Sequence, residues 1–454
     1  MEISYLQLQL MQIVFGLVLF GVIYSRLRKR GTPISQVPFL IVLIGYVLAS
    51  AISNALRELT YDWTALRKIG ALDYLVATVW WCASVCLTVV FYFAGSHSKF
   101  GRVKKPWAEH AAAPMVMKTL SLARTPYIIV GFLVLGSIYL NPFRNTDFGV
   151  LTARSESDLV VGGLLTASLL AALFSGISIP LFLSNIWLGL GAVGISIVLF
   201  VGTGSKGMAP IFLLMTVWTL IRYRSLPTLR QSRYLFRLLL PLFALSIPLV
   251  LLYSVRNRFQ TDSIDLTQAI SAALGRFTQQ DVAAVIQQSG TWREAFREEY
   301  LRGVILSFVP GFLWPGKPIN PAYAINSLYS YGFTAASPSL FGSLLIGTSD
   351  WAYWLVLPVI SYGIGIFDNY FAGTRSAEIR VHYEWYLIYS WCALFEGNWV
   401  IWVVQILTLL LWRWVLFVYS TRARNLLSLQ SGSALLFTAQ QPKVKWATSP
   451  GQGV

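Results

Sequence analysis

Several stretches of this chain, each about 20 residues long, carry no charged side chain at all. Examples are Leu8–Tyr24, Val37–Leu56, Tyr74–Phe93 and Pro180–Phe200. Runs of that length match the ~30 Å of hydrocarbon in a bilayer, where each backbone N–H and C=O must find its partner inside the segment. No period-two alternation competes with them, so helices are expected and barrel strands are not. At 56% hydrophobic and 12% charged, with a mean hydropathy of +0.61, the composition excludes an ordinary soluble domain. The expected fold is an all-α integral membrane protein, a polytopic bundle of about eleven transmembrane helices with one large extracytoplasmic loop.

The net charge of +16 does not point to nucleic acid, because the basic residues gather in short loops and in the tail. Arg26, Arg28, Lys29 and Arg30 follow the first apolar run. Lys99, Arg102, Lys104, Lys105, Lys118 and Arg124 follow the third, and Arg222, Arg224, Arg230, Arg233 and Arg237 precede Leu238–Tyr253. By the positive-inside rule these loops are cytoplasmic, which places the N-terminus outside and the C-terminus inside. Residues 1–253 then hold the first eight spans, 254–340 form the extracytoplasmic loop, 341–420 hold the last three spans and 421–454 are a cytoplasmic tail.

Within the first part, Leu159–Phe174 and Pro180–Phe200 read as a tight pair turning at SGIS, with Gly189, Gly191 and Gly194 allowing close backbone approach. In the loop, Leu266–Phe277 and Asp281–Tyr300 have helical spacing, with Asp281 and Thr291 as caps. The apolar stretch after Pro338 is longer than one crossing, so a re-entrant or interfacial piece should precede the span. TRSAEIR (374–380) reads as a cytoplasmic turn, and EGN (396–398) as an outer one. Cys82, Cys86 and Cys392 lie in apolar runs without metal-ligand spacing and read as packing residues; no metal or cofactor is expected.

Chemistry is expected where cations meet the outer boundary of the membrane. GSKG (204–207) lacks the spacing of a nucleotide-binding loop, which leaves two readings of Lys206: an oxyanion holder at a helix start, or a snorkelling lysine in a glycine turn. Arg256 and Arg258 begin the long loop, where the guanidinium fork suits phosphate oxygens. On a continuing helix they point about 200° apart, so only one faces a central cavity, and Arg256 is favoured. Their alternative role is to anchor a helix end to anionic headgroups. Arg276, Arg293, Arg297 and Arg302 interleave with Glu294, Glu298 and Glu299, which suits a solvated helix with intrahelical ion pairs. Glu298 or Glu299 is the candidate general base, with a surface salt bridge as the plainer reading. Lys317, in LWPGKP, is held by turn residues beside Trp314, and Trp314 and Tyr323 offer ring faces for a sugar.

The order of these features resembles the Wzy-type polymerases of O-antigen, capsule and exopolysaccharide repeat units. The resemblance rests on GSKGMAP (204–210) at a helix start, SVRNRF (254–259) before a large outer loop, VPGFLWPGKP (309–318), and SPSLFGSLLIG (337–347) leading into the next span. It covers about residues 200–365. It implies a GT-C-like helical membrane enzyme of the bacterial inner membrane that uses no nucleotide sugar, metal or cofactor. Such an enzyme joins undecaprenyl-diphosphate-linked oligosaccharides, which serve as both donor and acceptor, alongside a flippase and a chain-length co-polymerase. By the same resemblance Arg256, Lys206, Arg258 and Lys317 correspond to basic residues that hold diphosphate and stabilise the leaving group. On the residues themselves, Glu298 joins Arg256 and Lys206 as an expected catalytic group, and Arg276, Arg302, Trp314 and Tyr323 join Arg258 and Lys317 as expected substrate-binding ones. The related ligases carry an outer-loop histidine, which this chain lacks. A transporter, the other alternative, would place ionisable groups inside its spans, and a scaffold subunit of an export machine would need no outer arginines.

Overall fold

The computed structural model describes residues 4–29, 37–60, 70–98, 185–202, 279–305, 338–372 and 377–397, with scattered positions between 128 and 182, at 212, 213 and 216, and between 399 and 410. The chain divides into two compact units, Met1–Leu409 and Leu410–Val454. Apart from Leu410 the second lies outside the described residues.

Every regular element among the described residues is an α-helix. In chain order, and all within the first unit, they are α1 (Tyr5–Lys29), α2 (Pro38–Thr60), α3 (Ala71–Ser96), α4 (Ile186–Gly202), α5 (Gln279–Gln288), α6 (Gly290–Ile305), α7 (Ser339–Gly347), α8 (Asp350–Ala372) and α9 (Ala377–Phe395). Among the described residues, four helical stretches are long and apolar enough to cross a membrane: Tyr5–Lys29, Pro38–Ala55, Ala71–Ser96 and Asp350–Phe371. The chain is thus an all-helical protein with several membrane-type helices. On α1 the stripe Leu10, Met11, Val14, Leu17, Val18 is exposed while Leu8, Gln9, Gln12, Gly16, Leu19 and Ile23 turn inward, as expected for a helix with one face to lipid.

Because lipid is as apolar as these buried side chains, the helices are held mainly by close packing and hydrogen bonds. Contacts along their length set their directions. Gln9 and Gln12 of α1 meet Tyr74 and Thr78 of α3, and Arg26 caps the Phe93 ring at 4.7 Å, so α1 and α3 run parallel. Ser84 meets Tyr353 at 2.7 Å, and the Ser96 carbonyl accepts from Asn369 at 2.7 Å, so α8 also runs parallel to α3. A pair of glycines lets these two backbones touch. A Cβ on Gly95 would overlap the Tyr362 carbonyl, and one on Gly365 would overlap that of Tyr92. The helix α2 runs antiparallel, with Asn54 near Tyr74 and Phe39 stacked on Tyr92 at 5.5 Å.

At one end of this group sits Asp368, fully buried. Its Oδ2 accepts from the Phe39 N–H at 3.2 Å and from the Tyr92 hydroxyl, and its Oδ1 accepts from Trp391 Nε1 at 3.1 Å. One carboxyl therefore caps the start of α2 and ties α2, α3, α8 and α9 together.

Three local expectations are corrected. SGIS is not the turn before α4: residues 174–179 are helical, Gly176 abuts the Tyr386 ring, and Ser175 accepts from Trp385 Nε1 at 2.7 Å. The break falls at Asn185, whose Oδ1 accepts from the N–H groups of Trp187 and Leu188, a side-chain cap that starts α4 there and not at Pro180. Gly189 does allow close approach, to Phe182, whereas a Cβ on Gly191 or Gly194 would meet nothing within 4 Å among the described residues. Finally α9 begins at Ala377, so the AEIR part of the expected 374–380 turn is helix; charges at a membrane boundary do not end a helix unless a breaker accompanies them. Of the cysteines, only Cys392 is buried, Cys82 is half-buried and Cys86 is exposed.

Candidate functional site

The region between α5 and α8 is built on helix breaks. The expected single helix over 281–300 is divided at Ser289, whose hydroxyl turns back to the Val285 carbonyl at 2.7 Å and is followed by Gly290. Asp281 and Thr291 therefore lie inside α5 and α6 and are not caps. Further on, the 337–347 segment forms α7, nine residues long and too short to cross. The chain then breaks at Thr348 and Ser349 before α8. This is the short piece ahead of a span that the length of the apolar run calls for.

α7 is buried along almost its whole length, between α5, α6, α8 and α9. Its first residue, Ser339, has φ +62, a left-handed conformation uncommon for a residue with a Cβ. The Ser339 hydroxyl accepts from the Gly342 N–H at 3.1 Å, which helps to hold that start. Opposite it stands Gly397, φ +73, where a Cβ would collide with Ser343, Ser339 and Pro338. The expected outer turn at 396–398 therefore packs on the head of α7.

α5 is buried from Gln280 to Ile286 and packs on α3, α2 and α7. Asp281, fully buried, accepts at Oδ1 from Asn54 Nδ2 at 2.8 Å and from the Tyr74 hydroxyl at 2.9 Å, while Gln9 Nε2 donates to the same hydroxyl. Gln12 Nε2 donates to Thr78 at 2.9 Å. This network joins α1, α2, α3 and α5. Sequence reasoning missed it, although Gln9 and Gln12 stand three residues apart inside an uncharged run, the spacing that marks one helix face.

α6 carries the arginines. Its inner face holds Arg293, Phe296 and Tyr300, all buried, with half-buried Arg297 between the last two; its outer face holds Glu294, Glu298, Glu299 and Arg302, all exposed. Arg293 reaches across to Asp350 at the head of α8, with Nη1–Oδ1 at 2.7 Å and Nη2–Oδ2 at 3.3 Å, a two-pronged pair. Arg302 pairs with Glu298 one turn earlier at 2.7 Å. Arg297 has no ion pair among the described residues. Arg293 Nε, Arg297 Nε and the Tyr300 hydroxyl are buried without a hydrogen-bond partner among those residues. Burial pushes the Tyr300 phenol up to about 12; Ser343 and Trp399 are close enough to temper that rise, yet neither closes a hydrogen bond with it.

Of the residues singled out from sequence, Glu298 and Arg302 are therefore joined to one another in a surface i,i+4 ion pair. Arg256, Lys206, Arg258, Arg276, Lys317, Trp314 and Tyr323 lie outside the described residues. Arg293, Arg297 and Tyr300 were missed as a set, because spacing alone cannot show which face of α6 meets α7. Among the described residues there is no cluster of three or more His, Cys, Asp or Glu placed to hold a metal ion. The chain matches no family model, and no curated protein or solved structure shows detectable similarity to it.

Proposed function

We propose that the protein is a polysaccharide polymerase of the bacterial cytoplasmic membrane, with about eleven spans, the N-terminus outside and the C-terminus in the cytoplasm. It joins undecaprenyl-diphosphate-linked repeat units at the outer leaflet. In the reaction an acceptor sugar hydroxyl attacks the anomeric carbon of the donor glycan. The bond from that carbon to the diphosphate oxygen breaks, the hydroxyl proton is lost, and undecaprenyl diphosphate leaves. Negative charge grows on the departing diphosphate, so fixed cations beside it lower the barrier without metal. Arg256 and Lys206 are the proposed catalytic cations, with Arg258, Arg276 and Lys317 binding the diphosphates and Trp314 and Tyr323 the sugars. A flippase and a chain-length co-polymerase would be its partners.

One observation carries this reading: arginine-bearing α6 packs on short, buried α7 immediately before a membrane-type helix. That places guanidinium groups beside the head of α8, where lipid headgroup chemistry belongs. In cells making the polymer, Arg256→Ala is expected to leave the protein inserted while long glycan chains disappear. Unchanged chain length would reject the assignment.

A second reading, a transporter of lipid or polysaccharide, draws support from Asp281 and Asp368. Both are fully buried against membrane-type helices, where acids often line a transport path. Net movement of labelled lipid-linked glycan across vesicles holding the purified chain would favour it over the polymerase.

A further inference from the structure

We infer that the inner face of α6, formed by Arg293, Arg297 and Tyr300, is a binding site for a phosphate-bearing anion, with Arg297 as its principal charge. The inference rests on the polymerase reading for the identity of the ligand, a lipid-linked diphosphate, and on geometry alone for its chemistry. The three residues stand at i, i+4 and i+7, so their directions fall within an arc of about 60° and extend along about 10 Å of helix. Each places in that strip a buried hydrogen-bond donor that closes no hydrogen bond with a described residue: Arg293 Nε, Arg297 Nε and the Tyr300 hydroxyl.

Buried donors left open are disfavoured by an amount comparable to a lost hydrogen bond each, and an anion lying along this face would satisfy three of them at once. What they lack in common is a closed hydrogen bond: Ser343 lies near the Tyr300 hydroxyl without completing one, and neither Nε has a partner among the described residues. The carboxylate paired there, Asp350, is taken up by both Nη atoms of Arg293. Glu298 is occupied by Arg302 on the outer face, and neither Glu294 nor Glu299 forms an ion pair with Arg297. Asp350 neutralises Arg293 and leaves Arg297, among the described residues of this face, as the cation without an ion pair, beside one neutral pair and one phenol. An oxygen-rich anion completes this arrangement. Phosphate and diphosphate fit best, because the guanidinium fork matches their oxygens and their charge offsets that of Arg297. Arg302, expected from sequence to bind substrate, is paired with Glu298 on the outer face, and Arg297 is a further binding residue proposed here.

The test uses the full chain in phosphatidylcholine nanodiscs, titrated with inorganic pyrophosphate and followed by thermophoresis. Saturable binding is expected. Arg297→Gln should weaken it about 10- to 100-fold, the range for losing a charge-assisted contact. Tyr300→Phe should weaken it several-fold and Glu299→Gln should leave it unchanged. Thermal unfolding of each variant verifies that it is folded, and Arg297→Lys should recover part of the binding if charge is what matters. Nanodiscs containing phosphatidylglycerol separate the sources. If that lipid displaces pyrophosphate in an Arg297-dependent way, the site takes bilayer headgroups; if it does not, the site takes a diphosphate substrate. Absence of pyrophosphate binding in phosphatidylcholine, or binding indifferent to Arg297→Gln in a folded protein, overturns the inference. Polymer made at the wild-type level by Arg297→Gln would remove this site and leave the polymerase standing. Arg297-dependent binding by a chain that makes no polymer would do the reverse.

Discussion

Replacing Asp368 should loosen the joint of four helices. Its carboxyl receives three donors: the Phe39 N–H, the Tyr92 hydroxyl and Trp391 Nε1. Asp368→Ala leaves all three in a fully buried place. In soluble proteins an orphaned buried donor is destabilising by about 1–3 kcal/mol. Interhelical hydrogen bonds in membranes average about 0.6 kcal/mol, because the separated helices find other partners. Three such bonds set a floor of about 2 kcal/mol. The unsatisfied Phe39 N–H, at the first turn of α2 where no intrahelical acceptor exists, raises the expected loss to about 3–4 kcal/mol. Asp368→Asn keeps one carbonyl oxygen and should lose about half as much. Reversible unfolding in bicelles, read by tryptophan fluorescence or steric trapping, measures both. A loss under about 0.5 kcal/mol for Asp368→Ala would show that the three donors find other acceptors and that the carboxyl is not the joint.

Other perturbations bear on separate parts of the structure. Gly365→Val should force α3 and α8 apart, since even a Cβ there meets the Tyr92 carbonyl, whereas Gly363→Val should be tolerated; disulfide trapping between the two helices compares them. Asp350→Asn should destabilise by about 1–2 kcal/mol, between the surface and buried limits, because Arg293 is 7% exposed and Asp350 75%. Glu298→Gln should leave stability within about 0.3 kcal/mol, since both members of its pair face solvent; polymer length tests its separate candidacy as general base, with shorter chains supporting it and unchanged chains leaving only the surface pair. Tyr300 should make the protein sensitive to alkali. Its folded pKa of about 12 lies above the free phenol value of 10.0, so its share of stability is whole below pH 10 and declines as the pH rises toward 12. Tyr300→Phe should flatten that part of the pH profile of unfolding.

Much of the helical framework is visible in the uncharged runs, because a bilayer leaves a run of that length few alternatives to a helix. α1 and α3 exceed the expected runs by a few residues at both ends and α2 at its C-terminal end, since helices continue into the interface where charges begin. Breaks were harder to place. SGIS looks like a turn by composition, yet Gly176 serves a ring and Ser175 an indole, and both needs arise only once α9 is packed beside them. The same holds for Gly95 and Gly365, whose partner is a backbone far away in sequence. Asn185 left a readable sign, a capping side chain ahead of IWLGLG, which the preceding Pro180 obscured. At the site, the short helix over 339–347 ahead of α8 was legible from length alone, whereas the inward position of Arg297 required knowing that α7 packs on one face of α6.

The central claim is that this chain itself lengthens a lipid-linked glycan. Purified protein in liposomes, given an undecaprenyl-diphosphate-linked repeat unit and no nucleotide sugar or metal, should release undecaprenyl diphosphate and form products of two or more repeats, both resolved by mass spectrometry. Substrate recovered wholly as single repeats from folded, correctly inserted protein would contradict the account.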